Sequence, residues 1–216
     1  MIQHSEMPAI DVINLGPALS LRGMRMHFDR NEEIFGEGEP ADYIYRVVSG
    51  AVRKMRITSD GRRQILSFLL PGDIFGLELG ADHTLSAEAI TECEVVMVRR
   101  SVLDKISQED PLAARCWLKH ASDNLARARD HALILGRKGA AERVAAFLLD
   151  MSQRFVRGQD FDLPMSRADI ADHLGLTIET VSRSFTEMER AHAIDLPTSR
   201  HVVLRSRAAL DHMQAA

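Results

Sequence analysis

The stretch Ser166–Met188, SRADIADHLGLTIETVSRSFTEM, decides how this 216-residue chain is organised. Two short helical patterns flank Gly175. In the first, Ile170 and Leu174 lie four residues apart with Ala171 beside them, so one face is apolar. Ser166 before it and Asp169 three residues on give a helix-start signal close to a capping box. Gly175 ends that helix, because glycine takes a positive φ without steric cost. Thr177 caps the second helix, whose buried face is expected to be Ile178, Val181, Phe185 and Met188. Two helices joined by so short a turn read as a helix-turn-helix, whose second helix enters a DNA major groove.

On the exposed side of that second helix, Glu179, Ser182 and Arg183 fall at i, i+3 and i+4, in the N-terminal half that reaches base edges. Arginine grips guanine O6 and N7 with two bonds, and a glutamate accepts from cytosine N4. A carboxylate aimed at phosphate would be repelled, so Glu179 fits only as a base reader or as a brace for Arg183. In an isolated Glu-x-x-Ser-Arg, a solvated helix with an i,i+4 pair would be the better reading. After Gly-Leu-Thr on a second helix, base reading is favoured. Thr177 and Thr180 are candidate backbone contacts at the same helix start.

The run LGLTIETVSR at 174–183 resembles the recognition helix of the Crp/Fnr superfamily of bacterial transcription regulators. It is most similar to the Fnr and FixK branches, in which a Glu, a Ser and an Arg at these spacings contact DNA. The resemblance implies an α+β fold: an N-terminal cyclic-nucleotide-binding-like β jelly roll, a long dimerisation helix and a C-terminal winged helix-turn-helix. It also implies a homodimeric activator on double-stranded DNA, with RNA polymerase as a partner and a TTGAT, four-base spacer, ATCAA palindrome as the site. FixK-type members are made under low oxygen and switch on microaerobic respiration, denitrification or nitrogen-fixation genes.

Composition agrees with a soluble globular protein, 45% apolar and 27% charged, and the low cysteine count suits the reducing cytoplasm. No apolar run approaches the ~18 residues of a membrane span, and no secretory signal opens the sequence. Cys93 and Cys116, the two cysteines, lack metal-ligand spacing. The net charge of −4 is carried by residues 1–136, with 16 Lys+Arg against 20 Asp+Glu; residues 137–216 hold 11 of each. A neutral DNA domain offers little sequence-independent attraction, so binding has to rest on placed cations and base contacts. Arginine outnumbers lysine 23 to 4, which suits forked contacts but also suits a GC-rich genome.

Three segments are expected: 1–110, a sensor-like β-roll; 111–136, a dimerisation helix; and 137–216, the DNA-binding domain. Residues 1–26 show no strong period, so strands are expected from Phe28 to Val98, interrupted by turns such as Asp60–Gly61. EGEPADYIYRVVSGAVR at 37–53 and LPGDIFGLE at 70–78 match the family's jelly roll. From Ala114 onward, Ala114, Leu118, Ala121, Leu125, Ala128, Ala132 and Leu135 recur at four and three, the seam of a coiled coil. One helix lying on its own β-domain could use the same stripe; three regular heptads favour a partner helix. Gly136–Gly139 forms a hinge, Ala140–Phe155 an amphipathic helix, and Gly158–Pro164 a loop. Ala193–Leu196 and Val202–Leu204 form a hairpin wing in which Arg200 and His201 are candidate phosphate contacts.

No cofactor or metal is expected. In cAMP-binding members a Glu after Gly-Asp-x-x-Gly holds the ribose and an Arg-Ser pair holds the phosphate. Those positions here are Leu77 and Leu85-Ser86, so the pocket reads as filled by side chains. Cluster-bearing members place three cysteines near the N-terminus, where this sequence has none. A haem- or nitric-oxide-gated regulator of the same fold stays open, with His27, His83 and His120 as candidate ligands. No nucleophile–base set or paired carboxylates stand in a context that would suit an enzyme.

Overall fold

The computed structural model describes residues 11–16, 19–78, 80–155 and 159–215. The chain divides into two compact units. One takes the residues up to Met55 together with Phe68–Ala126; the other takes Arg56–Ser67 and the residues from Arg127 on.

Strands begin earlier than expected, with β1 (Asp11–Gly16) and β2 (Leu19–Phe28) ahead of β3 (Glu33–Phe35). The period of β2 is masked in LSLRGMRMHF, where the apolar residues sit at 19 and 21 and then at 24, 26 and 28, so the alternation changes phase across Gly23. Then follow β4 (Tyr43–Ser49), β5 (Val52–Ile57), β6 (Arg63–Leu69), β7 (Ile74–Phe75), β8 (Ser86–Ala89) and β9 (Cys93–Arg99). They make two sheets, in the orders β1-β2-β9-β4-β7 and β3-β8-β5-β6. Between them lies a core of Phe35, Tyr45, Val47, Val52, Phe75 and Val95, in which the rings of Tyr45 and Phe75 stack 5.0 Å apart. Other residues of the larger sheet, Ile13, Leu21, Ile44, Val96 and Val98, form a second core with Leu103, Ala113, Cys116 and Trp117. Each inward side chain of these strands contributes roughly 1.5–3 kcal/mol of burial.

Asp60–Gly61 makes the expected hairpin turn between β5 and β6. Gly61 takes φ +79, its N–H donates to the Thr58 carbonyl, and the Thr58 N–H donates to the Arg62 carbonyl, both at 2.8 Å. Helix α1 (Arg100–Glu109) stops at Asp110, before Pro111. Helix α2 (Pro111–Arg137) runs 27 residues, about 40 Å.

In the second unit α3 (Ala140–Arg154) packs against α5 (Ile178–Arg190) and α6 (Arg207–Ala215), with α4 (Arg167–Leu174) against α5. Val144, Leu148 and Met151 of α3 are buried, as their spacing requires. The wing has three strands rather than two. Inside the segment expected to be a loop, β10 (Asp160–Asp162) pairs with β12 (His201–Leu204), which also pairs with β11 (Ile194–Asp195). Asp-Phe-Asp is too short to show a period, and Phe161 is buried at its centre while the ring of Phe155 stacks on it at 5.1 Å. Among the described residues no helix is long and apolar enough to cross a membrane.

Candidate nucleic-acid interface

Local rules build the helix-turn-helix almost unaided. The Ser166 hydroxyl accepts from the Asp169 N–H at 3.1 Å, and Asp169 Oδ2 accepts from the Ser166 N–H at 2.9 Å, so the capping box is closed both ways. Gly175 sits at φ 63, ψ 41, the left-handed C-cap that a Cβ would disfavour. Thr177 Oγ1 accepts from the Thr180 N–H at 3.2 Å and starts α5.

Val181, Phe185 and Met188 of α5 are buried as expected, and Ser184 joins them. Ile178 does not: its side chain is 48% exposed. It lies in the first turn of α5, so the buried face begins at Val181 and Ile178 stands beside the exposed candidate face. Glu179, Ser182 and Arg183 are all exposed on that face. Its own backbone N–H, followed by the Thr177 hydroxyl, holds the Glu179 carboxyl below its ordinary range. Glu179 is therefore an ionised acceptor, as cytosine N4 requires. The Thr177 and Thr180 hydroxyls lie 3.0 Å apart, and one donates to the other.

On the wing, Arg200 is exposed and its Nη1 reaches the Pro164 carbonyl at 3.4 Å. His201 points elsewhere. Its Nε2 lies 3.0 Å from Asp160 and its Nδ1 3.0 Å from Asp162, so both ring nitrogens are engaged by carboxylates.

Three arginines that carry the geometry have no signal in the sequence. The Arg143 guanidinium donates to the carbonyls of Leu135, Lys138 and Leu174, satisfying the last turns of α2 and α4 together. Arg167 lies 3.1 Å over the Phe185 ring, and burial pulls its pKa down to about 10. Arg63 reaches Asp169 and Asp172.

On α4, His173 stacks on His131 with ring centroids 4.0 Å apart, and its Nδ1 lies 3.0 Å from the Ile65 carbonyl. Burial, then the neighbouring His131, pushes the His173 pKa down to about 3. An unfolded histidine titrates near 6.5, so between pH 6.5 and 3 the unfolded chain binds the extra proton and stability falls as pH falls. Urea melts at pH 7.5 and pH 5 should show about 2 kcal/mol lost through this residue. His173→Phe should remove that part of the pH dependence, and an equal loss in His173→Phe would show that other groups carry it.

Residues 25–110 match the family described as cyclic nucleotide-binding domain, and residues 142–213 match the Crp-like helix-turn-helix domain. The chain is 50% identical over 194 residues to the nitrogen fixation regulation protein FixK of Azorhizobium caulinodans, covering 87% of this chain and 78% of that one. It is 43% identical over 204 residues to FixK of Rhizobium meliloti, covering 94% and 93%. The structure of FixK2 from Bradyrhizobium japonicum superposes with a TM-score of 0.88 at 47% identity, covering 91% of this chain and 99% of that one. These relatives are named as regulators, not enzymes. With a cyclic-nucleotide-binding-type β domain, a long helix and a Crp-like helix-turn-helix in one chain, this protein belongs to the Crp/Fnr family and is a FixK-like transcriptional activator.

Proposed function

We propose that the chain acts as a homodimer, recognises a TTGAT-N4-ATCAA palindrome, and controls low-oxygen or nitrogen-metabolism genes without a small-molecule effector. The observation that carries this reading is the exposed face of α5, where Glu179, Ser182 and Arg183 share the N-terminal half of the helix. Arg183 takes the guanine of each half-site, and Thr177, Thr180 and Arg200 take phosphates. With both ring nitrogens held by aspartates, His201 shapes the wing instead of gripping DNA.

The dimer reading is supported by α2. Leu118 is 68% and Leu125 73% exposed, and Ala128 and Ala132 are exposed on the same stripe, while Ala114, Ala121 and Leu135 are half-buried at its edge. The effector-free reading is supported by β5. Its Arg53 pairs with Glu88 and its Lys54 with Glu78, so both cations already hold carboxylates. Ser86, the remaining member of the phosphate-binding pair, accepts from the Glu37 N–H at 3.0 Å. His83 is stacked on Phe35 at 3.6 Å with its Nδ1 3.3 Å from Glu78.

Selection of bound sequences from a random DNA pool tests the proposal. The palindrome should emerge from purified protein alone, and cAMP or cGMP should change neither the motif nor its affinity. A different motif would remove the base assignments, and enrichment that needs a nucleotide would remove the effector-free reading.

A further inference from the structure

The tip of the β5–β6 hairpin lies in the same compact unit as the helix-turn-helix, and one side chain joins it to α4. Arg63 Nε donates to Asp172 Oδ2 and its Nη2 to Asp169 Oδ1, each at 2.8 Å. The two carboxylates lie three residues apart on one face of α4, and a planar fork spans both where a lysine ammonium could not. The Asp169 side chain is 6% exposed, and its other oxygen already accepts from the Ser166 N–H and hydroxyl. Two residues along the same strand, the Ile65 carbonyl meets His173 Nδ1 at 3.0 Å. Positions 169, 172 and 173 of α4 are thus all held from positions 63 and 65.

We propose that Arg63 is a positioning residue for DNA recognition. It fixes the orientation of α4, which carries the Gly175 turn and α5, and so sets the angle at which Glu179, Ser182 and Arg183 meet the bases. Its fork is committed to carboxylates, so it works without touching DNA. This rests on the DNA-reading assignment of α5 made above.

The test uses the full chain, with affinity for the palindrome and for scrambled DNA measured across a salt series. Arg63→Gln should lower palindrome affinity about tenfold, within the range of residues that act through a contact network. Asp172→Asn should cost less, and the double variant should be no worse than Arg63→Gln, because both changes break one contact. Arg63→Lys, which keeps the charge and loses the fork, should fall between. The salt slope should stay at its wild-type value throughout, since no phosphate contact is lost. Wild-type affinity in Arg63→Gln would overturn the proposal. So would additive losses with a salt slope shallower by about one per subunit, the sign that Arg63 grips phosphate directly. Should Arg63→Gln fail to fold, Asp172→Asn decides, and unchanged affinity there would overturn it. If the wild type does not prefer the palindrome, the reading of α5 fails before any variant is measured, and this proposal falls with it.

Discussion

Arg183→Ala should erase the preference for G·C at one position of each half-site and cost ~1–3 kcal/mol per half-site, with the other positions still specified. The side chain is exposed on α5, so its removal leaves the packing of Val181, Phe185 and Met188 intact. On the proposed reading what is lost is the two-bond grip on guanine, which no neighbour would replace: Ser182 is short, and Glu179 is an anion. Arg200→Ala makes the contrast. It should weaken all sequences about equally and make the salt slope shallower by about one per subunit, the mark of a lost phosphate contact. Anisotropy titrations on the palindrome and on a duplex with that G·C changed separate the two outcomes. Uniform weakening with the base preference kept would make Arg183 a backbone clamp and move the reading face elsewhere on α5.

The second large effect is expected at Leu125. At 73% exposure its side chain carries little packing within its own chain, so Leu125→Glu should leave the helix content of the folded chain unchanged by circular dichroism. In a paired seam the same carboxylate would be buried against its symmetry mate without a counter-ion, at a cost of ~3 kcal/mol or more. Sedimentation should then show monomers, and binding should drop to that of a single half-site. An unchanged sedimentation profile would assign the stripe to something other than a partner helix.

How much of this was legible in the sequence follows from the range of the forces involved. The capping box at Ser166 and Asp169, the Gly175 turn and the Thr177 cap all act within four residues, and each stands where its residue type requires. The Asp60–Gly61 hairpin is equally local. The jelly roll was reached partly through turn spacing and partly through resemblance. The early strands β1 and β2 pair with each other as sequence neighbours and were missed because their apolar residues keep no single alternating phase. The third wing strand β10 was missed because its partner Val202 lies far away in sequence. The same holds for Arg63, Arg143 and Arg167. An arginine at the start of a helix or strand looks the same in sequence whether it faces solvent or closes a distant helix end. Ile178 failed for the opposite reason: the apolar period starts one turn before the buried face of α5 does.

The bare leucine stripe of α2 has a further consequence for how such a regulator responds to its own supply. Under the proposed pairing the active species is made from two chains, and Leu118 and Leu125 are left facing water whenever they separate. While separate chains prevail, halving the amount of protein lowers the paired form about fourfold. On the proposed effector-free reading the response can therefore still be sharp, because the cell's rate of synthesis and degradation is converted into a squared output. The strength of the seam sets the concentration at which that steepness ends, so substitutions along α2 would tune a threshold without altering a single DNA contact.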